Sequence, residues 1–309
     1  LKLAAVDIGS NAIRFQISKA LEYKGVISFK KVEYVRFPLR LGQDVFKKNE
    51  ISSEKESKFI KLMQTFKMLF ELYEVDDYII CATSAMRESK NGRDIAKKVQ
   101  DQLGVTIDII DGEKEAELIN NVLYNELDEN SYLHIDVGGG STELNIFVNR
   151  QKIAAHSFKI GSVRRLGGQD SPQEWQNMET WIKEQIKPEY GKICAIGTGG
   201  NIGKIYDLAN LSRAKDKRPS IPVKKIEEVQ KQVASMSLEE RINVLMLNED
   251  RADVIVPASE IYLTAMKWAG AEQMFVPELG LKDGLIQMLY KKHASGDHPI
   301  FVNTNKFQK

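Results

Sequence analysis

Apolar residues follow two periodicities along this chain, and the switching between them predicts its elements. Short runs in which every second position, or every position, is apolar predict strands near 3–8, 12–18, 26–35, 77–82, 105–110, 131–137, 142–148, 152–160 and 192–196. The first three, with short connections, read as a meander. Helical spacing takes over at 52–72, where Phe59, Leu62, Met63, Phe66 and Leu69 line one face and Ser52 or Ser53 can cap the start. Further helices are predicted over 91–103, ending at Gly104, over 112–127, and over 172–186, 226–235, 238–245, 259–268 and 280–290. The polar segment Glu126-Leu127-Asp128-Glu129-Asn130 is read as a domain boundary, giving domains 1–126 and 127–309, with the last helix able to pack back on the first. Lys215-Asp216-Lys217-Arg218-Pro219 is expected as an exposed loop and the polar tail after His293 as loose.

The pattern also repeats. Asp7-Ile8-Gly9-Ser10-Asn11-Ala12-Ile13-Arg14 lies over Asp136-Val137-Gly138-Gly139-Gly140-Ser141-Thr142-Glu143 without a gap, and each copy opens after an apolar run and closes in one. Strand, tight glycine turn, strand is the reading in both. Such turns present backbone N–H groups to an anion, and an Asp at each strand end suits a metal. Three glycines in a row are costly to order, and a plain turn needs only one or two. A loop that wraps an oxyanion accounts for the third. Asp136 and Glu143 bracket that loop, so both can face a cation. In the first copy Ser10 and Asn11 add donors and Arg14 can reach a phosphate oxygen. Taken alone, the first copy also reads as an ordinary hairpin.

A length of 309 residues suits two domains. With 42% hydrophobic and 28% charged residues the chain reads as globular, and a net charge of +1 gives no support for a nucleic-acid-binding field. No apolar run approaches the ~20 residues that span a bilayer, and no leader opens the chain. The expectation is a cytoplasmic protein without nucleic-acid or membrane partners. Cys81 and Cys194 sit in apolar runs and are expected as buried thiols. His134 and His156 fall in strands, as core or surface residues, and no His/Cys cluster supports zinc.

Other segments carry candidate chemistry. Gly197-Thr198-Gly199-Gly200-Asn201 follows an apolar run and precedes a helical stretch, an anion cradle at a strand-to-helix junction. Its spacing is neither that of a Walker loop nor that of a dinucleotide fingerprint. Ala82-Thr83-Ser84-Ala85-Met86-Arg87 places small hydroxyls and an arginine at a strand end. In Asp111-Gly112-Glu113-Lys114-Glu115-Ala116, Glu113 complements the helix dipole. Glu115 shares a face with Leu118, Ile119 and Val122, and an inward carboxylate is a candidate general base. Arg164 and Arg165 could serve an extended anion or a solvated turn.

Together these residues resemble the exopolyphosphatase / guanosine pentaphosphate phosphohydrolase (Ppx/GppA) family of the actin-like ATPase superfamily. The resemblance rests on Asp7-Ile8-Gly9-Ser10-Asn11, Ala82-Thr83-Ser84-Ala85-Met86-Arg87-Glu88, residues 112–116, residues 136–144, residues 197–200, Arg251-Ala252-Asp253 and Gly280-Leu281-Lys282-Asp283-Gly284. It implies an α/β protein of two ribonuclease-H-like (actin-like ATPase) domains with an interdomain cleft. It implies a hydrolase acting on polyphosphate or guanosine pentaphosphate, and it admits a homodimer. The family's general base falls on Glu115 and its metal and water-orienting acids on Asp136 and Glu143, with Asp7 nearby. The phosphate grip falls on Ser10, Asn11, Arg14, Thr83, Ser84, Arg87, Gly138, Gly139, Gly140, Ser141, Gly197, Thr198, Gly199 and Gly200. The chain departs from the family pattern at Asn201-Ile202, where Thr-Ile is common. It also ends soon after the second domain, whereas longer members add a helical region that helps hold long polymers, which weakens the expectation of processivity.

The implied reaction is metal-assisted hydrolysis of a phosphoanhydride, with Mg2+ (or Mn2+) at Asp136 and Glu143, backbone amides on the phosphoryl oxygens and Glu115 on the attacking water. Polyphosphate is the expected substrate and guanosine pentaphosphate the alternative. A kinase of the same superfamily and a nucleotide-binding sensor without turnover are the readings of other classes.

Overall fold

The computed structural model describes residues 1–211 and 218–294, with the backbone of 300–302. Lys215, Asp216 and Lys217 of the expected loop, and residues 295–299, with His298, and 303–309 of the tail expected as loose, lie outside the described residues, while 300–302 of that tail form a strand. The chain divides into two compact units, Leu1–Asn125 with Gly280 onward, and Glu126–Leu279. The first break falls at the polar segment; the second unit ends at Leu279 because the last helix packs within the first.

The first unit begins with the meander β1 (Lys2–Ile8), β2 (Ile13–Tyr23) and β3 (Val26–Phe37). It continues through α1 (Leu41–Lys48), α2 (Ser53–Leu72), β4 (Asp77–Ala82), α3 (Ser84–Glu88), α4 (Gly92–Leu103), β5 (Asp108–Ile109) and α5 (Gly112–Leu123). The second unit opens with its own meander, β6 (Ser131–Val137), β7 (Thr142–Val148) and β8 (Gln151–Phe158). Then come α6 (Ser162–Leu166), α7 (Pro172–Gln185), β9 (Ile193–Thr198), α8 (Gly200–Leu208), β10 (Ser220–Pro222) and α9 (Val223–Ser235). It closes with α10 (Leu238–Asn243), α11 (Glu249–Ala252), α12 (Ile255–Ala269) and β11 (Gln273–Phe275). The chain returns to the first unit as α13 (Leu281–His293) and β12 (Ile300–Val302).

The duplication seen in two hairpins extends to whole sheets. The strand orders are β12-β3-β2-β1-β4-β5 and β10-β11-β9-β6-β7-β8. Counted from each meander, both contain the order third, second, first, fourth, followed by one more parallel strand, β5 in the first unit and β11, the sixth strand of its unit, in the second. The overlaid positions are equivalent in register. Asp7 pairs with Arg14 across β1–β2, and Asp136 with Glu143 across β6–β7. The same bond closes both turns, from Gly9 N–H to the Ala12 carbonyl (3.2 Å) and from Gly138 N–H to the Ser141 carbonyl (2.9 Å).

Each sheet is covered by apolar helix faces. In the first unit β1 is buried from Leu3 to Ile8, and α2 lays Phe59, Met63 and Phe66 inward, with Phe66 stacked on Phe15 at 4.8 Å between ring centroids. Ser52 caps α2 by accepting from the Lys55 N–H. Helix α13 buries Leu285, Ile286 and Leu289, each worth about 1.5–3 kcal/mol against exposure. In the second unit Leu133, Ile135, Leu144 and Ile146 share a core with Ile261, Ala265 and Met266 of α12.

Several elements differ from expectation. The strand expected over 105–110 is reduced to Asp108–Ile109, because only those residues pair with β4; Val105 and Ile107 are buried without a ladder. The helix expected over 112–127 ends at Leu123 and passes into a single tighter turn at Tyr124–Glu126. Helix α12 starts at Ile255, four residues early, because Pro257 lies in its first turn, where no N–H is needed. Strands β10, β11 and β12 have three residues each and carry too little pattern to be seen. Cys81 is buried and Cys194 half-buried, both as free thiols. No helix among the described residues is long and apolar enough to cross a membrane.

Candidate functional site

The glycine loop of the second unit is anchored by its carbonyls. The Gly138 carbonyl accepts from the Ser162 N–H (3.0 Å) and hydroxyl, and the Gly139 carbonyl from the N–H groups of Val163 (2.9 Å) and Arg164 (3.0 Å). The Gly140 carbonyl accepts from Nε of the buried Arg164 at 2.7 Å. The start of α6 therefore holds one side of the loop. A Cβ on Gly161 would lie 2.5 Å from the Gly139 carbonyl oxygen, so the approach requires glycine there. The N–H groups of Gly139, Gly140 and Ser141 donate to no acceptor among the described residues. Three donors in succession, with their carbonyls engaged elsewhere, form an anion-binding concavity.

Two carboxylates stand at the base of this loop. Asp136 and Glu143 are register partners, so their side chains share a face. Like charges directly opposite repel, and a cation relieves that cost. Glu143 is buried and accepts from the Ser157 hydroxyl at 2.9 Å. A Cβ on Gly199 would lie 2.9 Å from Asp136 Oδ1, which brings the 197–200 loop against that carboxylate. Arg251 Nη1 donates to the Gly200 carbonyl at 2.9 Å, again leaving the loop tied by a carbonyl.

Behind the carboxylates lies a polar layer. His134, two residues before Asp136 on β6, is fully buried. The Asn145 amide donates to its Nδ1 (2.9 Å), which leaves Nε2–H to donate to the Thr198 hydroxyl (2.9 Å). Burial pushes the His134 pKa down to about 3, so the ring stays neutral. The Thr198 side chain is thus taken up by the core. Tyr262 of α12 donates to the Thr198 carbonyl (2.5 Å) and accepts from the Val137 N–H (3.4 Å). Burial, and next the Asp136 and Glu143 carboxylates, push its phenol well above the usual value.

The first unit arranges its copy differently. Asp7 is buried and ion-paired with Arg14 at 2.7 Å, so the pair that is acid–acid in the second unit is acid–base here. The Ser10 and Ser84 hydroxyls, both buried, meet at 2.7 Å. The Ser10 and Asn11 carbonyls accept from the N–H groups of Gly42 (2.8 Å) and Arg40 (2.9 Å), the counterpart of the α6 anchorage. Thr83 N–H donates to the Ile8 carbonyl. Arg87 Nη1 donates to the Ile110 carbonyl at 2.7 Å, bracing the approach to α5. Asp111 caps that helix by accepting from the Lys114 N–H (2.8 Å), which sets Glu115 in its first turn with one carboxylate oxygen shielded from solvent. Burial, with Asp108, Asp7 and Glu115 as further causes, pushes the Cys81 thiol up to about 12. Asp7 and Glu115 therefore both act on the same end of β4.

Within the first unit the structure gathers Asp7, Ser10, Arg14, Thr83, Ser84 and Glu115 near the ends of β1 and β4. Within the second it gathers Asp136, the 138–141 loop, Glu143 and the 197–200 loop at the ends of β6 and β9. Magnesium takes one or two carboxylates and completes its shell with water and phosphate, and the Asp136–Glu143 pair fits that donor set. Asp7 is engaged by Arg14, and among the described residues no three His, Cys, Asp or Glu side chains form an ion-holding group. Sequence reasoning placed His134 as a core or surface residue, and it is core, but it missed Tyr262, Asn145 and the anchoring role of Arg164. The spacings His134-x-Asp136 and Glu143-x-Asn145, polar every second residue in otherwise apolar strands, were the available signal.

Comparison with known proteins agrees with this architecture. The family model described as the Ppx/GppA phosphatase family matches residues 22–293. A bifunctional 3-dehydroquinate synthase/phosphatase from Fusobacterium nucleatum is 34% identical over 168 residues, 52% of this chain and 25% of that protein. A guanosine-5'-triphosphate,3'-diphosphate pyrophosphatase from Photobacterium profundum is 25% identical over 303 residues, 95% of this chain and 60% of that protein. The chain therefore spans less than two thirds of the length of either relative. Among solved structures, the Ppx/GppA family member of Aquifex aeolicus superimposes with a TM-score of 0.73 at 21% identity, covering 96% of this chain and 99% of that one. An exopolyphosphatase from Cytophaga hutchinsonii gives 0.79 at 20% identity, covering 94% and 98%. The fold is that of these structures, and the chain belongs to the Ppx/GppA phosphatase family.

Proposed function

We propose that this chain is a phosphoanhydride hydrolase that releases the terminal phosphate of inorganic polyphosphate. One observation carries the reading furthest. The 138–141 loop has its carbonyls engaged and three N–H groups available, with two carboxylates opposite one another at its base. In this reading the N–H groups of Gly139, Gly140 and Ser141 hold oxygens of the transferred phosphoryl group. The 197–200 loop, and Ser10, Thr83 and Ser84 in the first unit, hold further phosphate oxygens. Glu115, set in the first turn of α5, takes the proton of the attacking water. Asp136 and Glu143 would hold Mg2+ or Mn2+, partly through water, and the ion when bound would neutralise charge on the bridging and terminal oxygens.

Guanosine pentaphosphate is the second reading, supported by the name of the Photobacterium relative. It needs the same bond cleavage and the same residues. The test is orthophosphate release from short polyphosphate, long polyphosphate, guanosine pentaphosphate and ATP, with and without magnesium and with no acceptor present. Magnesium-dependent release from polyphosphate is expected. Release from guanosine pentaphosphate alone would move the substrate to the second reading. Binding without release from any of the four would make the protein a sensor, and transfer only to an added hydroxyl acceptor would make it a kinase.

A further inference from the structure

The parallel ladder between β6 and β9 ends at the pair Asp136–Thr198, and both glycine loops begin there. That pair is closed by the Val137 N–H and the Thr198 carbonyl, because the register with β7 turns the Asp136 N–H and carbonyl to the other side. It is the last rung before the strands part, and buried polar groups there are costly to expose by fraying. The hydroxyl of Tyr262 meets both groups of that rung, accepting from Val137 and donating to Thr198. It also lies 3.4 Å from where a Cβ of Gly199 would be. The phenol thus braces the last step of the ladder at the fork.

Resting on the hydrolase reading, we infer that Tyr262 is a positioning residue, whose hydroxyl braces the last rung of the β6–β9 ladder and so fixes the 138–141 and 197–200 loops relative to each other and to Asp136. Its full burial and raised pKa keep it protonated, so it remains a donor throughout the neutral range. The ring belongs to the core; the hydroxyl belongs to the fork. Turnover then depends on a group that touches no substrate.

The experiment compares wild type, Tyr262→Phe and Met266→Ala in magnesium-dependent phosphate release from polyphosphate, with Tm measured for each. Tyr262→Phe keeps the ring and is expected to lower kcat by about tenfold or more with a smaller change in KM, because misplaced contacts cost rate before binding. Met266→Ala, on the same buried helix, is expected to lower Tm at least as far and leave kcat unchanged. Equal kcat in Tyr262→Phe and wild type, or an equal loss in both variants, overturns the inference. Amide exchange in the wild-type chain decides it should Tyr262→Phe not fold. The Val137 amide, although on the last rung, should exchange within a few-fold of the Ile135 amide inside the ladder, and exchange about tenfold or more faster than Ile135 would overturn it. A wild-type chain that releases no phosphate from any of the four substrates removes the hydrolase reading instead, while the exchange comparison still judges the fork.

Discussion

Gly199 is constrained in two ways. Its φ of 99° is a conformation that L side chains rarely adopt, and its missing Cβ leaves room for Asp136 Oδ1. The backbone conformation cannot be relieved by a rotamer change elsewhere, whereas the contact can be relieved only by moving the Asp136 carboxylate. Gly199→Ala is expected to cost about 1–3 kcal/mol in urea unfolding and to displace the Asp136 carboxylate, lowering turnover as well. Unchanged stability would show that this backbone position is not held as described. At this scale the sequence was legible where chemistry demands a particular residue type: the triple glycine, Asp136, Glu143 and Gly199 could be singled out from spacing. The Asp7–Arg14 ion pair was not, although both residues were singled out: the register that sets Glu143 opposite Asp136 sets Arg14 opposite Asp7. Register is a property of the paired strands, and only the gapless overlay of the two copies hinted at it.

Strands β6, β7 and β9 are joined by the chain Asn145, His134, Thr198 across their buried face. The ring's folded pKa of about 3 lies below the ordinary His value of 6.5, so the neutral form belongs to the fold. The unfolded chain binds a proton there below about pH 6.5 while the folded chain does not. Stability from this group is therefore full above that pH and is lost as pH falls towards 3, on the order of 5 kcal/mol over the whole span. His134→Gln can keep both hydrogen bonds and cannot titrate. Urea unfolding from pH 7 to 3 should fall less steeply for the variant than for wild type, whatever their absolute stabilities. Parallel curves would mean that the ring is not held neutral. At the scale of elements, long periodic segments were legible and short ones were not. Helix α2 and strands β1, β4, β6 and β7 lie where alternation or helical spacing placed them. Helices α1 and α6 and the three-residue strands depend on neighbours far away in sequence. Helix α6 is specified by the carbonyls of the glycine loop it anchors, so its five residues read as a turn with arginines until the loop is in view.

The whole chain is a sheet motif used twice and modified differently in each copy. One hairpin neutralises its acid internally with Arg14; the other sets two acids together and suits a cation. The duplication was legible because both copies keep an Asp and a Gly at fixed offsets. The return of α13 to the first unit was present only as an option, because its partner α5 lies far back in the sequence and the join depends on Gly284 packing against the Leu118 carbonyl. The most direct test is orthophosphate release from polyphosphate with saturating magnesium, comparing wild type with folded Glu115→Gln and measuring polyphosphate affinity for both. Loss of a general base predicts turnover reduced by about 100-fold or more with affinity held within a few-fold. Turnover by Glu115→Gln close to that of wild type would contradict the proposed hydrolytic mechanism.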